Sequence, residues 1–244
     1  MAEAGVGSRR ACEELIEQGH VTVNGQQVRK MPVWVDPAAD RVEVDGQAIR
    51  RPGRQRHLYL LVSKPRNVIC TSRDPQGRRK IIDLVPHERR LFCVGRLDAD
   101  STGLVLLTDD GELANRLTHP RYGVPKTYLI SVKGLLDDAE IDKLKRGLFL
   151  ADRGGQAARA RAAAVKVVQR DREKTRLEVT LCEGRNREIR RLLARLGHRV
   201  RLLQRIAIGP VRLKGIASGD WRELTGAERS ALRRAARSSH PTRQ

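Results

Sequence analysis

The chain has 244 residues, with 49 Lys and Arg against 29 Asp and Glu, an excess of +20, and a pI of about 11.0. A field of that sign selects a polyanion, and no stretch approaches the roughly 18 apolar residues of a spanning helix, so nucleic acid stands ahead of an anionic membrane surface. The opening MAEAGVGSRR has no apolar run and is not a signal peptide; Cys12, Cys70, Cys93, Cys182 and the six histidines show no CxxC or HExxH spacing, so no metal or disulfide framework is expected and a reducing cytoplasm fits.

The length allows a small domain followed by a medium one. Residues 8–18, SRRACEELIEQ, read as a short helix with Ser8 as N-cap and Gly19 as its stop; Ala11, Leu15 and Ile16 share a face. VTVNGQQV (21–28) and VEVDGQAI (42–49) are alternating runs broken by Asn-Gly and Asp-Gly, the strongest short hairpin signal. RRPGRQR (50–56) has no apolar residue and four arginines, and marks a linker. Beyond it, LYLLVS (58–63), NVICTS (67–72), GLVLLT (103–108), KTYLISVK (126–133) and RLEVTLC (176–182) read as strands. Residues 109–119, 137–147 and 186–197 read as helices. The two kinds do not alternate regularly, which predicts an α+β fold with a mixed or antiparallel sheet. Residues 227–244 read as a basic tail, helical at first and frayed at its end.

Two stretches carry chemistry. In GRLDADSTGL (95–104), Asp98 and Asp100 stand beside Arg96 and ahead of a Ser-Thr-Gly turn. Positive charge beside a carboxylate favours its ionised form, which acts as a nucleophile or a base; the plainer reading is an Asp closing a tight turn. In 186–196, Ile189, Leu192, Leu193 and Leu196 follow helical spacing, so Arg187 and Arg191 point away from the apolar face while Arg190 and Arg195 lie at its borders. Residues 185–205 hold eight arginines against Glu188 alone, which favours phosphate contact over a merely solvated face. No GxGxxG or GxxxxGK[ST] spacing occurs, which removes dinucleotide and P-loop readings. The low aromatic content, 3%, points to reading of folded RNA by shape and phosphate rather than to a stacking platform.

GVGSRRACEELIEQGHVTVNGQQV resembles the S4 RNA-binding domain over residues 1–50. That family places a basic helix face on structured RNA, which implies Ser8, Arg9 and Arg10 as contacts. S4 domains carry several more residues ahead of this segment, so the first helix reads as truncated.

Gly-Arg-Leu-Asp, two variable residues, then Ser/Thr-Gly-Leu, is similar to the catalytic signature of pseudouridine synthases, in the form of the branch that carries an S4 domain and modifies ribosomal RNA. TDDGELANRLTHPRYGVPKTYLISVKG (108–134) and EGRNREIRRLLARLGHRVRLLQRIAIGPVRL (183–213) continue the resemblance in order, and TSRDPQGRRKIIDLVP (71–86) follows a Lys-Pro pair as in that branch. The resemblance implies Asp98 as the catalytic aspartate, Tyr128 as the active-site tyrosine that stacks on the base, and Arg190 as the arginine paired with the aspartate. It implies Arg96 as the filler of the gap left by a flipped base and, more weakly, Leu213 as an apolar pocket residue. Arg187 and Arg191 join the RNA contacts, and Asp100 falls in the variable pair as a structural residue.

The implied organisation is an S4-like domain (1–50), a linker (51–56), a catalytic domain (57–226) and the tail. The implied activity is isomerisation of a uridine in large-subunit ribosomal RNA, with small-subunit RNA as the alternative. Isomerisation adds no atom and changes no oxidation state, so no cofactor or metal is expected. The partner is ribosomal RNA or an assembling ribosomal particle, and the protein is expected to be monomeric and cytoplasmic. Two other readings are a non-catalytic S4-type RNA-binding protein and an S4-linked RNA methyltransferase. Retention of Asp98, Tyr128 and Arg190 argues against the first, and the missing glycine-rich methyl-donor loop against the second.

Overall fold

The computed structural model describes residues 1–2, 4–49, 56–71, 74–151 and 156–238, with Ser238 described by backbone alone. The chain divides into two units, Met1–Arg56 and His57–Gln244. All but Arg56 of the expected linker lies outside the described residues.

In the first unit, α1 (Arg9–Glu17) begins where the Ser8 hydroxyl accepts from the Ala11 amide at 3.0 Å. It ends as glycine allows: Gly19 takes φ 82°, and the amides of Gly19 and His20 reach back to Ile16 and Leu15 at 3.0 Å. Cys12, rather than Leu15 or Ile16, is its most buried residue. Four short strands follow: β1 (Val21–Val23), β2 (Gln26–Val28), β3 (Val42–Val44) and β4 (Gln47–Ala48). Asn24-Gly25 and Asp45-Gly46 all have positive φ, as a two-residue type I′ hairpin demands. β1 also pairs with β3, so the two hairpins form one sheet, β2-β1-β3-β4.

The second unit runs β5 (Tyr59–Lys64), β6 (Phe92–Val94), β7 (Thr102–Thr108), α2 (Gly111–Thr118), β8 (Lys126–Lys133), α3 (Asp138–Arg146), β9 (Leu148–Ala151), β10 (Ala157–Ala160), β11 (Ala164–Arg170), β12 (Lys174–Leu181), α4 (Glu188–Arg195), β13 (Val200–Ile208), β14 (Val211–Arg212), β15 (Trp221–Glu223) and α5 (Gly226–Ser238). β9 and β10 pair with each other. The main sheet has the order β11-β12-β8-β13-β7-β5-β15, with β14 on β13 and β6 on β7. Its pairings are antiparallel except β13 with β7, which is parallel. The fold is thus α+β around a mixed sheet.

Alternation along the strands divides the core in two. Leu60, Val62, Val105 and Leu107 face one cluster, which Ile130, Leu177 and Leu203 join and which α3 (Ile141, Leu144) and α4 (Ile189, Leu192, Leu193) cover. Tyr59, Leu61, Leu104 and Leu106 face the other, covered by α2 (Leu113, Leu117) and α5 (Leu232, Ala236).

Three differences from the sequence reading have physical reasons. Residues 67–71 of NVICTS form a turn and one bridge, Ile69 to Lys80, rather than a strand. Asn67 takes φ 61°, and its amide bonds the Ala99 carbonyl at 2.8 Å, so the segment serves the loop of Asp98 instead of a ladder. The nine-residue β13 is hidden in sequence because Arg201 and Arg205 interrupt its apolar run. The tail is helical at first, as expected, through Ser238, but this helix is docked by Leu232 and Ala236 rather than loose; residues 239–244 lie outside the described residues. Its start is fixed by reciprocal bonds between Thr225 and Glu228 (2.9 and 3.2 Å), while Arg222 holds the same carboxylate with both terminal nitrogens at 2.7 and 2.6 Å.

Candidate active site

Asp98 lies in the turn between β6 and β7, closed by the Ser101 amide on the Asp98 carbonyl at 3.1 Å. Three supports fix this turn. The buried Lys64, at the end of β5, reaches the Pro65 carbonyl at 2.8 Å and the Ala99 carbonyl at 3.5 Å. The Leu97 amide donates to the Cys70 sulfur at 3.4 Å. Gly103 then takes φ 103° where β7 runs beside β13; a Cβ there would sit 2.3 Å from the Arg205 carbonyl oxygen. The glycine of the Ser-Thr-Gly turn is therefore set by backbone approach.

The Asp98 side chain points into a cavity of about 840 Å³. Arg96, Asp98 and Arg187 stand at its polar rim; Tyr128, Lys126, Arg205, Leu203, Leu181 and Ile189 are among its other lining residues. Tyr128 is 9% exposed, in β8 directly across from Arg205 in β13. Lys126 is two residues before Tyr128 and so projects from the same face.

Arg187 heads α4 in a left-handed conformation (φ 47°), which turns its guanidinium back toward the β6–β7 turn. Its Nη1 lies 3.2 Å from Asp98 Oδ2 and its Nη2 3.5 Å from Asp100 Oδ2. Arg190, the partner expected for Asp98, instead binds Asp100 at 3.0 Å and the Val200 carbonyl at 3.3 Å. One helical turn separates the two arginines, and the left-handed residue at the helix start delivers the earlier one to Asp98. Asp100 is accordingly part of the ionic constellation rather than a simple turn residue.

The other expected residues divide. Arg96 is exposed at the rim and makes no hydrogen bond or ion pair among the described residues. Leu213 is packed on the second core cluster, outside this cavity's lining; β14 turns it to the face covered by α5. Arg191 bonds the Ala151 carbonyl at the end of β9 and does not line the cavity. In the first unit, Ser8 is engaged as the cap, while Arg9 and Arg10 are exposed.

Four groups escaped the sequence reading. Burial holds the Lys126 ammonium at about 8, below the usual lysine range, with the charge of Arg205 adding to it. Arg205 is 3% exposed; its Nε donates to the Leu104 carbonyl at 2.7 Å, and its Nη2 is buried without a partner. The Glu188 carboxyl is pushed up by burial and accepts from the Arg185 amide at 3.0 Å. The Cys70 thiol is held below the usual thiol range, chiefly by a hydrogen bond from Cys93, then by the Leu97 amide and the charges of Arg205 and Lys64, against the opposing effect of burial. Period 2 from Tyr128 could have found Lys126, and a lone arginine in an apolar strand could have found Arg205.

A second cleft of about 540 Å³ adjoins the first and shares Arg187 with it, and Asp100 lines the second alone. Arg66, Arg190, Arg199, Arg201 and His198 also line it, so cations far outnumber its single carboxylate.

Residues 58–195 match the family model described as RNA pseudouridylate synthase, and residues 1–31 match that of the S4 domain. An uncharacterized RNA pseudouridine synthase of Aquifex aeolicus is 42% identical over 95% of this chain and 91% of its own. The ribosomal large subunit pseudouridine synthase B of Bacillus subtilis is 41% identical over 96% and 93%. A crystal structure of a pseudouridylate synthase superposes with TM-score 0.66 and 27% identity, covering 95% of this chain and 96% of that one. The aspartate-bearing turn, the cavity behind it and these likenesses over nearly the whole length agree: the chain belongs to the RNA pseudouridylate synthase family and carries an S4 domain at its start.

Proposed function

We propose that the protein converts one uridine of large-subunit ribosomal RNA to pseudouridine, with Asp98 acting at the ribose of a nucleotide turned out of its helix. The observation that carries the reading is the placement of Asp98: a carboxylate at the rim of a base-sized cavity, oriented by Arg187, with Tyr128 behind it. The name of the Bacillus subtilis relative supports the choice of large-subunit RNA.

The reaction breaks the bond from N1 to C1′, turns the ring and joins C5 to C1′. Asp98 stands to attack C1′ or to take a proton from the sugar; either needs a carboxylate beside the ribose. Turning the nucleotide out costs a few kcal/mol. The Tyr128 ring against the base recovers part of that cost, and Arg96 fills the gap in the helix. Arg187 holds Asp98 in the geometry the sugar requires, while Arg9 and Arg10 of the S4 unit anchor the RNA. The partner is ribosomal RNA or an assembling particle, met by a cytoplasmic monomer.

Carbodiimide labelling and primer extension test this on ribosomal RNA lacking the modification. Wild-type protein is expected to create one new stop, and Asp98→Asn none, with RNA affinity within about twofold. An active Asp98→Asn removes the assignment of the aspartate. If free RNA and assembly intermediates both stay unmodified while binding is tight, the non-catalytic RNA-binding reading takes its place.

A further inference from the structure

Arg205, buried, and Lys126, half-buried, are cations in the lining of the Asp98 cavity, on adjoining strands beside Tyr128. Neither has a carboxylate within ion-pair distance among the described residues. The Lys126 ammonium makes no hydrogen bond there, and Arg205 leaves Nη2 unpaired with only 3% of the residue exposed. The Cys70 and Cys93 thiols feel the charge of Arg205, and Lys126 that of Cys182; none of these thiols takes up the unpaired N–H. Burying a cation and leaving a donor unmet are both costly, so the arrangement fits a ligand that brings negative charge to this wall. Asp98, by contrast, is served by Arg187 at the rim.

We propose that Lys126 and Arg205 form a binding site for the uracil ring as it departs, and stabilise the negative charge it takes on. The inference rests on the isomerase reading above. When the N1–C1′ bond breaks, its electron pair leaves with the ring, and the charge spreads over N1 and the two carbonyl oxygens. The sugar is left either bonded to Asp98 or short of one proton. C5 then returns a pair to C1′ while the ester pair goes back to Asp98, or Asp98 gives the sugar back its proton; the proton on C5 is lost and N1 gains one, so atoms and electrons balance without a co-reactant. Both roles of Asp98 share the anionic ring. Preorganised cations in a site of low polarity serve such developing charge far better than water does.

Single-turnover rates at saturating RNA, together with RNA affinity, are measured for wild type, Lys126→Met and Lys126→Arg, on RNA with uridine or 5-fluorouridine at the target. Loss of the N-glycosidic nucleoside is followed by nuclease digestion and chromatography. Fluorine acidifies the ring, so it departs more easily and needs less help. Lys126→Met is expected to lower the uridine rate about 10²-fold with affinity within about twofold. That deficit is expected to shrink at least tenfold on 5-fluorouridine, and Lys126→Arg is expected to recover most of the rate. Lys126→Arg keeps the charge and remains informative should Lys126→Met fold poorly: a full loss in a folded Lys126→Arg counts against the proposal. An unchanged Lys126→Met rate, or an equal deficit with both nucleosides, overturns it and leaves Lys126 a packing residue. Lost affinity at an unchanged saturating rate assigns the cations to phosphate instead. Wild type without activity on uridine overturns the isomerase reading itself, an outcome distinct from these.

Discussion

Gly103 has no side chain because the Arg205 backbone occupies the place where one would begin, 2.3 Å from an added Cβ, at a φ of 103°. Gly103→Ala is therefore expected to cost about 2–4 kcal/mol in chemical denaturation, combining backbone strain with a clash that neither strand can relieve. Its loss of activity should exceed its loss of folded protein, because the displaced strands carry Asp98 and Arg205. Lys126 gives a second expectation. Its pKa falls from 10.5 in the unfolded chain to about 8 in the fold. The unfolded chain thus binds more protons between these values, and stability rises with pH across that window. Below about pH 8 the buried charge weighs against the free protein in full. Wild type should gain stability relative to Lys126→Met as pH rises from 8 to 10. A difference independent of pH would mean the ammonium is better solvated than its position implies.

Among the elements, α5 is the one whose role departs most from its sequence. GAERSALRRAARS is basic and was expected to lead into a loose tail, yet it buries Leu232 and Ala236 and is capped by Thr225 and Glu228. Leu232→Ala should cost about 2–5 kcal/mol, and Thr225→Ala about 1 kcal/mol, both read as shifts of the denaturation midpoint. The Arg222 guanidinium holds Glu228 at about 2, against 4.5 unfolded. That contribution is present above pH 4.5 and fades as pH falls toward 2, so Glu228→Gln should flatten the acid limb of the stability curve. Elements written by local chemistry were legible: both hairpins follow from Asn-Gly and Asp-Gly, and α1 from Ser8 and Gly19. Those decided by distant partners were not. NVICTS has strand composition but answers to the Asp98 turn, and β13 carries arginines that only the folded cavity explains. The same division holds in the site. The motif marked Asp98, Tyr128 and Arg96, whereas the partner of Asp98 depended on the left-handed conformation of Arg187, for which no local residue pattern argues.

For the molecule as a whole, the excess of +20 is not spread evenly. The second cleft gathers Arg66, Arg190, Arg199 and Arg201 beside the Asp98 cavity, where strands of RNA flanking the target would pass. Arg199→Ala with Arg201→Ala should weaken RNA binding and reduce the slope of log affinity against log salt by about 1.5–2. The catalytic rate at saturating RNA should hold. An unchanged slope would place the RNA backbone elsewhere on the surface.

The parallel pairing of β7 with β13 joins the two halves of the cavity, and its Arg205–Leu104 bond spans 101 residues of chain. Synthesis at about 5–20 residues per second separates the two halves by on the order of 5–20 s. During that interval a nascent chain already displays Asp98 but has neither the arginine that aims it nor the strand that completes its cavity. The Asp98 cavity is thus completed late in translation, once β13 has joined the sheet.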